Sequence, residues 1–187
     1  FIYIFPVSYY VLQFLVVVDM QNDFVTDALG TKEARGIVEK AAEKIRSFPG
    51  EIFVTLDTHG PDYLQTAEGK KLPVVHCVRG TKGWELHPAV AEALKGKAVT
   101  TVEKPTFGST ALPGILESVA GGEDFSITLI GLCTDICVIS NALVLKAFFP
   151  EKKISVDASC CAGVTPELHR AALATMHSCQ IDVEGDE

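Results

Sequence analysis

The chain has no surplus of basic charge. Its 187 residues hold 16 Lys and Arg against 24 Asp and Glu, a formal net charge of -8, which argues against nucleic-acid binding because such surfaces normally display a basic stripe. Its six cysteines, Cys77, Cys133, Cys137, Cys160, Cys161 and Cys179, include no C-x-x-C pair. At 48% hydrophobic and 21% charged, a chain of this length has core enough to do without a disulfide scaffold, and a reducing cytoplasm is the expected compartment. No H-E-x-x-H run is present, which removes the local pattern of common zinc proteases. There is no long linker, repeat or low-complexity tract, so one domain is enough. Residues 1–18 are aromatic and apolar but lack the basic flank and small-residue cleavage site of a signal peptide. The last of them are needed for a first strand. The expected organisation is an atypical apolar leader over 1–13 and a single domain over 14–187, with no membrane partner.

What is present is an alternation of β-branched runs with helical spacing. Residues 14–18, 52–56, 99–102, 126–130 and 154–157 read as strands, with a short one at 180–183. Helical spacing covers 32–47, stopped by Pro49 and Gly50, then 88–94, 113–119 and 166–179; three of these open on proline. A further helix follows Thr134 or Asp135, either of which can cap it, and it buries Ile136, Val138, Ile139, Ala142, Leu143 and Leu145. The alternation implies an α/β, three-layer Rossmann-like fold, a mainly parallel β-sheet flanked by helices.

Four strand ends carry chemistry. The first run stops at Asp19, the third is followed by Glu103 and Lys104, and the fourth leads to Cys137 at an expected helix start. Parallel sheets build sites outside the carboxyl ends of their strands, so an acid, an ammonium and a thiol can share one cleft there. A helix start offers unpaired N–H groups and a partial positive charge, which favour thiolate over thiol. Taken singly, each residue is more common as a turn acid, a solvated charge or a packed thiol; their joint placement points to catalysis. The second strand ends in Asp57-x-His59, with Glu68 and His76 beyond it. Carboxylate and imidazole side chains suit zinc, iron or manganese, and residues two apart on extended chain face the same way. Cys160 and Cys161 sit near the same edge of the sheet, where packing is the expected role.

With V-V-D-M-Q-N-D-F around Asp19, Lys104 after its strand and G-L-C-T-D-I-C-V around Cys137, the chain resembles the isochorismatase-like cysteine hydrolases. Within them it is most similar to the nicotinamidase/pyrazinamidase branch, from about residue 14 onward. The resemblance implies a triad of Asp19, Lys104 and Cys137, and a cis peptide joining Leu132 and Cys133 that helps aim the N–H groups of Cys133 and Cys137 at an oxyanion. It also implies a divalent metal, zinc first, held by Asp57, His59, Glu68 and His76, with Asp62 and His87 open as alternatives to Glu68. The implied reaction is hydrolysis of nicotinamide to nicotinate and ammonia through a thioester, with Phe24, Trp84 and Phe107 as apolar walls. Branch members commonly carry an aromatic residue shortly before the metal-binding histidine, whereas residues 71–75 here read K-L-P-V-V. Another small amide, a carbamoyl or ureido substrate, or a thiol-based redox sensor or binding protein on the same fold are the alternatives. The expected partners are the small-molecule amide and further copies of the chain in a homo-oligomer.

Overall fold

The computed structural model describes residues 11–185. Six strands, β1 (Leu12–Val18), β2 (Glu51–Asp57), β3 (Val99–Lys104), β4 (Phe125–Leu132), β5 (Ile154–Ala162) and β6 (Asp182–Glu184), form one sheet in the order β3-β2-β1-β4-β5-β6. Every neighbouring pair is parallel. Among the described residues seven α-helices accompany the sheet: α1 (Asn22–Val25), α2 (Lys32–Ser47), α3 (Ala67–Lys71), α4 (Pro88–Ala93), α5 (Leu112–Ala120), α6 (Ile139–Phe148) and α7 (Pro166–Ser178).

β1 alternates its buried side chains between two cores. Phe14, Val16 and Val18 join α5, α6 and α7 on one face through Leu116, Leu145 and Met176, while Leu15 and Val17 join α2 and α4 on the other through Ile45 and Val90. The strand is buried on both faces, which is why it reads as a continuous apolar run. α2 starts where Thr31 accepts a hydrogen bond from the Ala34 N–H and ends on Phe48 in extended backbone just before Pro49; α7 is capped in the same way by Thr165.

Strand order reverses between β1 and β4, and the carboxyl ends of β1, β2, β3 and β4 converge there. Val18 lies beside both Thr55 and Gly131, and Asp57 beside Lys104. The approach of β1 to β4 needs glycine at 131, whose φ of 117° is outside ordinary L-residue space and where a Cβ would lie 2.1 Å from the Val18 carbonyl oxygen.

Several boundaries differ from the sequence reading. β1 begins at Leu12, so Leu12 and Gln13 are strand rather than leader, and residues 1–10 of the expected leader lie outside the described residues. β3 runs on to Lys104, and β5 extends through Cys160 and Cys161, which are buried strand residues beyond an irregularity in the β4–β5 register. The short strand lies at Asp182–Glu184 rather than 180–183. The Thr134–Val138 segment is a single π turn, and neither Thr134 nor Asp135 caps it. Thr134 Oγ1 instead hydrogen-bonds His169 Nδ1 at 2.8 Å, and Asp135 Oδ1 accepts from the Val164 N–H at 2.9 Å.

Candidate active site

Asp19, Lys104 and Cys137 meet beyond the sheet. Asp19 follows β1 in left-handed backbone, φ 48°, a region that Asp tolerates better than most residues. Its Oδ1 accepts the Thr55 hydroxyl at 2.6 Å, and its Oδ2 lies 2.6 Å from Lys104 Nζ. Lys104 Nζ is also 3.5 Å from Cys137 Sγ and 3.5 Å from Asp57 Oδ1. All three catalytic candidates are buried. Burial pushes the Asp19 carboxyl above its usual range, with Lys104 opposing it. Lys104 itself is held above its ordinary value, because Asp19, Cys137 and Asp57 outweigh the cost of burial.

The thiol departs from the sequence expectation. Burial, and then the neighbouring Asp19, raise Cys137 well above an ordinary cysteine, and Lys104 does not offset them. Burial and Asp19 therefore oppose the helix-start effect and favour the thiol form of Cys137, 3.5 Å from the Lys104 ammonium that also contacts Asp19. Cys133 is likewise pushed up to about 12 by burial, with Asp135 and Asp19 adding to it. Asn141 fixes the nucleophile turn, a role no local motif announces: its Nδ2 donates to the Cys137 carbonyl at 2.8 Å and the Phe107 carbonyl at 3.2 Å, while its Oδ1 accepts the Ser109 N–H at 2.9 Å. The Leu132–Cys133 peptide is cis.

The second cluster adjoins the first through Asp57. One ligand atom from each of Asp57, His59 and His76 lies within 4.8 Å of the others. Glu68 Oε1 reaches the same point, 3.8 Å from His59 Nε2 and 3.6 Å from His76 Nε2. His76 Nδ1 lies 2.8 Å from the Val74 carbonyl, which can only accept, so the proton sits on Nδ1 and the Nε2 lone pair faces the cluster. His59 Nε2 is buried without a hydrogen bond although Asp57 Oδ2 is 2.8 Å away. Burial alone would raise Asp57, but the two imidazoles and Lys104 outweigh it and hold its carboxyl well below the usual range. An orphaned imidazole nitrogen, a second with its lone pair fixed inward and an ionised carboxylate form a donor set that fits a divalent metal. The alternatives to Glu68 lie elsewhere: His87 caps α4 by accepting from the Ala89 N–H, and Asp62 lies against Gly60 before the turn Tyr63–Gln65.

Both clusters open onto one cavity of about 820 Å³, whose wall includes Phe24, Phe107, Cys133, Ile136, Cys137 and Val164. Trp84 is not on that wall, contrary to the sequence expectation. Its indole N–H donates to Thr58 Oγ1 at 2.9 Å, its carbonyl accepts from Gln21 Nε2 at 2.8 Å, and its ring packs on the core beside α2. Tyr63, which no local motif singles out, lies edge-on to both histidines, with ring centroids 4.7 Å from His59 and 4.9 Å from His76. Gln21, which stands in the motif around Asp19, has a positioning role that spacing does not announce: its amide donates to the Asp57 carbonyl at 2.9 Å and accepts the Asp57 N–H at 2.8 Å, bracing the acid that the two clusters share.

A family model described as the isochorismatase domain matches residues 13–185. No curated protein sequence matches the chain. Among solved structures, the nicotinamidase/pyrazinamidase PncA of Bacillus subtilis is 25% identical with a TM-score of 0.80, covering 92% of this chain and 99% of its own. The pyrazinamidase of Pyrococcus horikoshii in complex with zinc is 26% identical with a TM-score of 0.74, covering 91% and 97%. The N-carbamoylsarcosine amidase of Thermoplasma acidophilum is 28% identical with a TM-score of 0.73, covering 94% and 98%. With its parallel sheet, the Asp19–Lys104–Cys137 cluster at the strand ends and a family model spanning nearly all of it, the chain belongs to the isochorismatase family of hydrolases.

Proposed function

We propose that the chain is a cysteine amidohydrolase that converts nicotinamide to nicotinate and ammonia through a thioester on Cys137. The observation that carries this reading is Lys104 Nζ, in contact at once with Asp19, Cys137 and Asp57. It joins a thiol and its proton acceptor to the candidate metal ligand Asp57, and both Cys137 and Asp57 line the cavity. Cys137 attacks the amide carbon and gives its proton to Asp19, a transfer favoured by the direction in which burial shifts both groups, upward for the thiol and for the carboxyl. Asp19 then returns the proton to the departing amine, releasing ammonia. In the second half it takes a proton from water attacking the thioester, so that nicotinate leaves and the thiol is restored. Lys104 stabilises the thiolate and carboxylate as they form, and the N–H groups of Cys133 and Cys137 serve the oxyanion.

Asp57, His59, Glu68 and His76 would hold the metal, zinc in the first instance, with iron or manganese also suited to these donors. When bound it supplies a Lewis-acidic anchor for a ring nitrogen. Phe24, edge-on to His76 at 5.5 Å, and Phe107 flank the substrate ring. The similarity to pyrazinamidase and nicotinamidase structures supports this choice of substrate. The similarity to the carbamoylsarcosine amidase, and the lack of an aromatic residue in 71–75, favour a carbamoyl or other small amide as the second reading. A redox-sensing thiol is disfavoured by the burial and raised pKa of Cys137, since sensor cysteines are exposed and acidic.

The test compares nicotinamide, pyrazinamide and benzamide by ammonia release. The first two should turn over and benzamide, which lacks the ring nitrogen, should be much poorer. Equal rates for benzamide and nicotinamide would discard ring-nitrogen anchoring, and no turnover of any would move the assignment to the second reading.

A further inference from the structure

The geometry points to an apolar subsite at the mouth of the cavity, making the preferred substrate an aromatic carboxamide with an apolar ring substituent rather than a bare single-ring amide. This inference rests on the amidase reading. The deep end of the site is polar and closed: Asp19, Asp57, His59, His76, Lys104 and Cys137 are each 8% exposed or less. The mouth has the opposite character. Leu72, Phe107 and Val164 line the same cavity and are 38%, 46% and 41% exposed.

Single exposed apolar side chains are ordinary. These three come from separate segments, following α3, β3 and β5, and converge on one opening. Phe24 and Ile136 continue the apolar wall inward, and Lys71 is the one lysine on it. A cavity of about 820 Å³ lies within the roughly 300–1,000 Å³ that accommodates drug-sized ligands, far beyond the needs of one ring and one amide. A bare ring held at the deep end leaves the mouth wet; an apolar substituent removes that surface from water. The Asp135–Val164 hydrogen bond and the Asn141–Phe107 hydrogen bond hold two of these residues to the elements that carry the nucleophile, so the subsite is built into the same frame.

The experiment measures kcat/KM of the metal-loaded enzyme for nicotinamide and for its 5-phenyl and 6-phenyl derivatives, in wild type and in Val164→Ser. At least one phenyl derivative should exceed nicotinamide by about tenfold or more, chiefly through KM, in line with the discrimination a hydrophobic pocket provides. Val164→Ser should reduce that ratio several-fold. If both derivatives are poorer than nicotinamide, or the ratio is unchanged by Val164→Ser, the subsite is wrong while the amidase reading stands. If neither nicotinamide nor either derivative is hydrolysed, the nicotinamide reading fails and the subsite falls with it.

Discussion

Lys104 is 1% exposed and touches two carboxylates, Asp19 and Asp57, and the Cys137 thiol. A buried ammonium is tolerated only when it is paired, so its removal should damage stability and catalysis together. Lys104→Met should cost about 3–5 kcal/mol, because two buried carboxylates lose their counter-charge, and should remove ammonia release. Denaturant unfolding and an amidase assay check the two effects; a variant with unchanged stability would show that the buried pairs contribute nothing net. Asp19, Lys104 and Cys137 were legible in the sequence because each follows a β-branched run, and parallel sheets collect strand ends. The upward shift of the Cys137 thiol was not. Its burial and the adjacent Asp19 arise from tertiary packing, and they reverse the sign expected from a helix start. Trp84 and Tyr63 show the same limit: composition offers aromatic residues, but only the packed chain decides that Tyr63 meets the histidines while Trp84 bonds Thr58 behind them.

Among the elements, the strand interiors and long helices could be read from periodicity, and α2 was read to its observed ends. The strand ends could not. β3 finishes on Glu103 and Lys104, polar residues that read as loop until Lys104 finds its buried partners, and β5 carries small Ser and Cys residues across an irregular register. α1 and α3 are too short to show a period. One tie between elements makes a pH prediction. Lys44 of α2 lies 2.9 Å from Asp157 of β5. Burial alone would raise Asp157, but hydrogen bonds from Lys44 and Ser159 outweigh it and hold the carboxyl below its usual range. Burial would lower Lys44, and Asp157 outweighs it to raise the ammonium. A depressed carboxylate contributes stability above its unfolded pKa and loses it as pH falls through the folded one; a raised lysine loses its contribution only at alkaline pH. Lys44→Met should therefore cost about 1 kcal/mol at most at pH 7, and the deficit should shrink as pH falls below the ordinary carboxylate range. Thermal melts of both proteins at pH 7 and pH 3 check it, and a deficit equal at both would assign the loss to packing of the lysine stem instead.

At the scale of the molecule, the β3-β2-β1-β4-β5-β6 order puts the reversal between β1 and β4, and Asp19 and Cys137 follow those two strands. Open parallel sheets bind ligands at such a reversal, and here β2 and β3 bring Asp57 and Lys104 to it as neighbours in register. Because His59, His76 and Asp57 come from two segments that the fold must bring together, a metal bound only by the native state stabilises the whole domain. Chelation should lower the melting temperature by roughly 5–15 °C, restored by added zinc, and His59→Ala should abolish the difference. An identical melt with and without chelator in wild type would argue against metal at this site. The thioester on Cys137 can be trapped by acid quenching of a pre-steady-state reaction with nicotinamide and located by peptide mapping with mass spectrometry. A nicotinoyl group on Cys137, absent from Cys137→Ala together with turnover, is the predicted result; steady ammonia release from Cys137→Ala would contradict the account.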